Sequence, residues 1–255
     1  MTKKLKWAGR NSAKDQLRAQ IWQKLEDEKV GIGDVWDSIP DFVGAKEAAL
    51  RLSETKFWKD AKVVKSNPDA PQIPVRHKAL VDGKLLYMPI PELKNDFPFL
   101  LLDPKKLLED NISLEYCSTI EGALKHGQPV HFEEMLPMDV LVVGCVAVSN
   151  NGGRTGKGAG FADLEMGIFR EVGNFPESSK VVTTVHDIQV VDPKELPIES
   201  HDTPLDYIFT PTQHIETTID FNRPNARIDW NKIQKQQYDS IPFLLELRKK
   251  LEKNF

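Results

Sequence analysis

Leu17, Ile21 and Leu25 recur every fourth position behind Ser12 and Asp15, with Trp22 beside the stripe. The spacing predicts a helix opening near Ser12 with an S-x-x-D capping pattern. Ala45, Ala48, Ala49 and Leu52 mark a second helix, whose small stripe lets it pack closely. Ala61–Lys65 and Lys84–Met88 read as strands, the latter following a turn at Asp82-Gly83. Between them, Pro68, Pro71 and Pro74 predict that residues 67–74 form no regular helix. Residues 31–42 read as a loop, and the proline-rich stretch 89–104 as an irregular excursion. Ser118 and Glu121 open a short helix that ends at Gly127.

The second half is more apolar. The run Val140–Val148 predicts one continuous, buried parallel strand. Leu164, Ile168 and Val172 predict a helix stopped by Gly173, and Val181–Val191 a β-branched strand. Tyr207–Thr210 is a further strand between two prolines. Polar helical signals from Asp229 break at Pro242, and Phe243, Leu244, Leu247 and Leu251 form a last amphipathic helix. Strands alternating with helices predict a three-layer α/β domain with a mostly parallel sheet. It is expected to span residues 1–219, with 220–255 a helical extension packed on it.

Length and charge narrow the classes. The chain has 255 residues and a formal charge of −4, which argues against a nucleic-acid partner. The basic clusters Lys3, Lys4, Lys6, Arg10 and Arg248–Lys250 read as solvated ends, with RNA contact the minority reading. Cys117 and Cys145 lie in strand-like apolar runs without metal-site spacing, so buried free thiols are expected. Neither an apolar signal region nor a run of membrane-spanning length is visible, so a cytoplasmic protein is expected.

The densest chemistry lies at Arg154-Thr-Gly-Lys-Gly-Ala-Gly-Phe-Ala-Asp163. Three alternating glycines let a ligand approach the main chain, and two cations stand among them. A strand before and a helix after would aim helix N-terminal amides at an anion, which suits polyphosphate. The spacing excludes a P-loop and a Rossmann fingerprint. A mobile glycine-rich loop with solvated cations is the plainer alternative. Asp163, where the helix should begin, either caps it or holds a magnesium ion that bridges phosphates. Asp202 follows a late strand and either forms a turn before Pro204 or meets the glycine loop. Lys14 and Arg18 share a helix face, which is solvated in most such pairs. His186 and His201 read as ordinary strand and loop histidines.

The order of K-x-x-L-R (Lys14 to Arg18), Gly83-Lys84 before a strand, R-x-G-x-G-x-G-F-x-D (Arg154 to Asp163) and L-P-x-x-x-x-D (Leu196 to Asp202) resembles the 5-formyltetrahydrofolate cyclo-ligase family over residues 12–215. The resemblance implies a fold of the type shared with NagB, ribose-5-phosphate isomerase (RpiA) and CoA transferases. It implies ATP held by Lys14, Arg18 and the loop Arg154, Thr155, Gly156, Lys157, Gly158, Ala159, Gly160, Phe161 and Ala162. Arg154 and Lys157 would act on the transferring phosphoryl group. Asp163 and Asp202 would hold Mg2+. Asp69 and Phe161 would contact a folate-type substrate. The implied reaction is the ATP-dependent closure of 5-formyltetrahydrofolate to 5,10-methenyltetrahydrofolate.

Departures accompany the match. Gly160-Phe-Ala-Asp163 stands where the family usually has Gly-Tyr-Tyr-Asp, so Ala162 lacks a ring. Ala159 replaces a basic residue or glycine, and Gly144-Cys-Val-Ala-Val148 replaces Pro-Gly-Val-Ala-Phe. Extra sequence lies at 31–45, 89–112 and beyond 220. These features resemble a diverged branch similar to the methenyltetrahydrofolate synthetase domain-containing proteins. They keep open a related enzyme with a different small substrate, or a nucleotide-binding or RNA-binding module without turnover.

Overall fold

Asn11 rather than Ser12 caps the first helix, its side chain accepting from the Lys14 amide at 3.0 Å. The pattern was displaced by one residue because Asp15 is drawn off to Arg18 and the Gly9 amide. The computed structural model describes residues 6–90, 98–199, 201–219, 228, 230, 231, 233 and 235–253. Lys3, Lys4, Asp220, Asp229 and residues 91–97 of the expected excursion lie outside these.

Helix α1 (Ser12–Asp27) is followed by the short strands β1 (Gly31–Ile32) and β2 (Asp41–Phe42), then α2 (Ala45–Glu54) and α3 (Lys56–Asp60). Strand β3 (Val63–Ser66), α4 (Ile73–Val81), β4 (Leu85–Pro89) and β5 (Phe99–Leu102) come next. Three short helices, α5 (Pro104–Glu109), α6 (Leu114–Cys117) and α7 (Ile120–His126), precede β6 (Gln128–Val130). Strands β7 (Val140–Val142), β8 (Ala147–Ser149) and β9 (Arg154–Thr155) lead into α8 (Phe161–Glu171). Strands β10 (Lys180–Thr184), β11 (Val190–Val191), β12 (Tyr207–Phe209) and β13 (His214–Glu216) precede α9 (Lys235–Ser240) and α10 (Pro242–Lys253).

The main sheet has the order β13-β12-β10-β7-β3-β4-β5-β6. Its inner strands β12, β10, β7, β3 and β4 run parallel, and the outer ones antiparallel. Alternation across β7 divides the core. Leu141 faces Ile168 and Phe169 of α8 together with Leu244 and Leu247 of α10, while Val140 and Val142 face α2 and α4. The sheet thus lies between two helical layers, and α10 shares the core of the α8 face.

Two expected strands are each broken in the same place. The run 140–148 divides into β7 in the main sheet and β8 in a separate sheet of order β11-β8-β9. The stretch 181–191 likewise divides into β10 and β11, with a short 3-10 turn at Asp187–Gln189 between them. Gln189 Nε2 donates to the carbonyls of Cys145 and Val146 at 3.1 and 3.0 Å, joining the two bends. Burial is continuous from 140 to 148, so hydrophobicity carries no mark of the bend. Gly144 permits it, because a Cβ there would meet Asp69 Oδ2 at 2.9 Å and Ile39 at 3.0 Å.

Other differences are local. Residues 70–72 form a 3-10 turn and α4 begins at Ile73, since Pro74 occupies a first-turn position where no amide hydrogen bond is needed. Phe99–Leu102, expected to be irregular, pairs antiparallel with β4. Thr119, not Ser118, caps α7. Both cysteines are buried and free; Cys117 ends a helix rather than lying in a strand. Among the described residues no helix is long and apolar enough to cross a membrane.

Candidate functional site

The bend between the two sheets creates a concave surface at the carboxyl ends of the parallel strands, where open α/β sheets gather ligands. A cavity of about 500 Å³ opens there, lined by residues of the N-terminal segment, α1, the loop after β3 and the glycine loop, and by Glu199, His201 and Asp202. Every residue expected to bind ATP, magnesium or substrate lies on its wall: Lys14, Arg18, Asp69, all of Arg154–Asp163, and Asp202. The glycine loop follows the two-residue strand β9 rather than a long parallel strand.

The loop is shaped for main-chain contact. Gly158 and Gly160 take φ of +107° and +73°, which side-chain-bearing residues rarely adopt. Gly160 leads into α8 without a side-chain cap. The first amides of this helix therefore have no intrahelical acceptor and lie at the cavity wall. Asp163, one candidate cap, sits within the first turn and turns instead to Arg154, while its Oδ1 also accepts from the Thr203 amide at 2.9 Å.

Each basic side chain expected at the phosphate is already partnered. Lys14 Nζ donates to Asp202 Oδ2 at 2.5 Å. Arg18 pairs with Asp15 and donates to Thr155 Oγ1 at 2.7 Å. Arg154 donates from Nε to the Thr203 carbonyl at 2.9 Å and pairs with Asp163. Burial disfavours the Arg154 charge, but Asp163 together with Cys145 and Asp202 outweighs this and the guanidinium pKa is raised. Lys157 is the looser member, 3.8 Å from Asp69 and 37 % exposed.

The acids offer a cation site through the oxygens that their hydrogen bonds leave over. Asp202 Oδ2 is taken by Lys14 and by the Glu199 amide at 2.8 Å, while among the described residues Oδ1 has only His201 at 3.8 Å. Asp163 Oδ1 is taken by Arg154 and Thr203, and no described donor is bonded to Oδ2. One oxygen thus remains on each, a fit for a hard divalent ion. Glu199, His201 and Asp202 also offer ligand atoms within 4.8 Å of one another; Asp163 is outside that group. His201 therefore reaches the cavity wall, whereas His186 caps the 3-10 turn through Nδ1.

Behind Asp69 and Glu165 of the cavity wall lies buried charge that periodicity could not reveal. Lys65, at 0 % side-chain exposure, pairs with Glu165 of α8 and donates to Asn67 Oδ1 at 2.5 Å. Burial pushes the Glu165 carboxyl up, and Lys65 pulls it back. Burial likewise raises Asp69, against the pull of Lys157, Arg76 and Lys65. Arg76, drawn down to about 10 by burial, donates to the carbonyls of Asn67, Asp69 (3.0 Å) and Ser118 (2.7 Å). It braces the loop that carries Asp69. None of Lys65, Arg76 and Glu165 breaks a hydrophobic stripe in a manner that marks a site; a basic residue inside a buried strand was the only signal.

The model of the 5-formyltetrahydrofolate cyclo-ligase family matches residues 10–211. A methenyltetrahydrofolate synthase domain-containing protein of Bos taurus is 37% identical over 238 residues, covering 92% of this chain and 62% of the relative. The protein of the same name from Mus musculus is 36% identical over 240 residues, covering 93% and 64%. The chain thus spans less than two thirds of the length of these relatives. The solved structure of Aquifex aeolicus 5,10-methenyltetrahydrofolate synthetase has 17% identity and a TM-score of 0.49, covering 85% of this chain and 100% of that one.

Proposed function

The chain belongs to the 5-formyltetrahydrofolate cyclo-ligase family, and from that premise we propose that it is an ATP- and Mg2+-dependent ligase that closes 5-formyltetrahydrofolate to 5,10-methenyltetrahydrofolate, releasing ADP and phosphate. The observation that carries this reading is the convergence of Lys14, Arg18 and the glycine loop on one cavity. In sequence, Arg18 and Thr155 are separated by most of the domain; in space their side chains are hydrogen-bonded.

In the proposed reaction the formyl oxygen on N5 attacks the γ-phosphorus and ADP leaves. Nitrogen N10 then attacks the formyl carbon, loses its proton, and phosphate departs with the former formyl oxygen. Such a reaction needs positioning and charge neutralisation rather than a protein nucleophile. The α8 amides and Lys14, Arg18, Arg154 and Lys157 would bind the phosphate chain. Asp69 and Phe161 would meet the folate. Asp163 and Asp202 would hold magnesium, whose charge would offset that of the phosphates.

The test is incubation with Mg-ATP and 5-formyltetrahydrofolate while the near-ultraviolet absorbance of the methenyl product is followed, with and without magnesium. A magnesium-dependent rise is expected, and no rise would remove the folate reading. A cyclo-ligase-like enzyme on another small substrate is favoured by two features, the buried Lys65–Glu165 pair, whose acid lines the cavity, and the missing ring at Ala162. ATP consumption without folate would select it.

Lys157→Ala should weaken ATP binding about tenfold to a hundredfold, the range of one charged hydrogen bond. Its loose contact with Asp69 leaves the fold little dependent on it. Unchanged nucleotide affinity by calorimetry would take Lys157 out of the site.

A further inference from the structure

Residues 6–11 cross the glycine loop before α1 begins. Trp7 is buried, and its ring meets Phe161 edge-on at 5.9 Å with an interplanar angle of 86°. Its carbonyl and Cβ lie over Gly158, where an added Cβ would meet them at 2.9 and 3.2 Å. Arg10 Nη1 donates to the Ala159 carbonyl at 2.6 Å and lies 2.9 Å from where a Cβ on Gly160 would stand. The strap is thus fitted to the loop at four consecutive positions, 158 to 161. Gly158 and Gly160 leave room for it as well as for a ligand.

Arg10 differs from the other arginines of the cavity. Arg18 and Arg154 each pair with an acid, whereas among the described residues no acid pairs with Arg10. Its guanidinium lines the cavity beside Arg18, and burial together with that like charge lowers its pKa. A cation held against another cation by a single carbonyl gains most from an entering anion.

We propose that Arg10 is a further phosphate-binding residue, delivered by the strap to the glycine-loop end of the cavity, where it takes a terminal phosphate or the end of another polyphosphate chain. Trp7 positions it by anchoring the strap on Phe161, supplying from the N-terminal side a ring that Ala162 lacks. This rests on the nucleotide half of the proposed function and not on the folate half.

The test is calorimetric titration of the full chain with inorganic tripolyphosphate, which reads the anion site without turnover. Arg10→Ala should weaken binding about tenfold to a hundredfold. Arg10→Gln, which can keep the bond to the Ala159 carbonyl but carries no charge, should lose as much with an unchanged melting temperature. Equal affinity in parent and Arg10→Gln, with binding lost in Arg18→Ala, would overturn the role of Arg10 and leave the nucleotide site intact. Tripolyphosphate binding that depends on Arg10 in a protein that forms no methenyl product would sustain the proposal while removing the folate reading. A parent that binds no tripolyphosphate would overturn both.

Discussion

Lys65→Ala is expected to cost about 3–5 kcal/mol of stability, the range for removing one partner of a buried ion pair. Lys65 has no side-chain exposure and Glu165 has 5%, so the carboxylate left behind cannot be hydrated. For a domain of this size the melting temperature should fall on the order of 10 °C. The pH dependence has a definite sign. Burial already holds the Glu165 pKa above its ordinary 4.5 in the folded state, and losing Lys65 raises it further. A raised carboxyl pKa favours the folded state below the unfolded value and loses that contribution as pH rises through the folded one. The deficit of Lys65→Ala should therefore be largest near neutrality and shrink as pH falls toward 4.5. Pairing Lys65→Met with Glu165→Leu should recover most of the loss, because two apolar groups leave no orphaned charge. Thermal melts across this pH range decide it. A single variant as stable as the parent at neutral pH would mean that the two side chains are not a buried pair.

Arg154→Ala is expected to lower kcat for ADP formation about 10²–10³-fold, the usual loss for one preorganised charge-stabilising donor. Arg154 spans Thr203 through Nε and Asp163 through Nη2, so its fork ties β9 and the first turn of α8 to the segment following Asp202. A lysine has its donors on one nitrogen and lacks the planar fork that spaces the two contacts. Arg154→Lys should therefore stay nearer to alanine than to the parent in kcat. Asp163 is 19% exposed, so water can take over part of the lost contact and the fold should survive. Steady-state kinetics with a parallel melt provides the check. A kcat equal to the parent's in Arg154→Ala would exclude the phosphoryl-transfer role.

The fold was legible where polarity alternates with a fixed period. The α1 stripe, the Leu164–Ile168 stripe and the Lys84–Met88 strand lie where the residues indicate. What was hidden has a common cause. Where both faces of a strand are covered, residues on either side of a bend are equally apolar, so the passage from β7 to β8 left no trace. Proline was misleading at 74 because its effect depends on position within a helix, not on its presence. That the glycine loop, Asp163 and Asp202 would meet was expected from residue order and the family resemblance, and all lie on one cavity wall. Lys65, Arg76 and Arg10 could not be named in this way, because their significance comes from neighbours distant in sequence.

Around the cavity, Lys6, Arg10, Lys14, Arg18, Arg154 and Lys157 face an equal number of acids: Asp37, Asp69, Asp163, Glu165, Glu199 and Asp202. A basic cleft of the ordinary kind is screened by mobile salt, which is released when a polyanion docks, and its affinity drops steeply with ionic strength. Here the counter-ions are tethered to the backbone. On the proposed reading an entering polyanion would displace carboxylates from lysine and arginine instead of freeing sodium or potassium, which would blunt the dependence on salt. Asp163 and Asp202 each keep one oxygen outside these pairs, and release from Arg154 and Lys14 would loosen the other, so that on the proposed reading anion and divalent metal would reinforce each other.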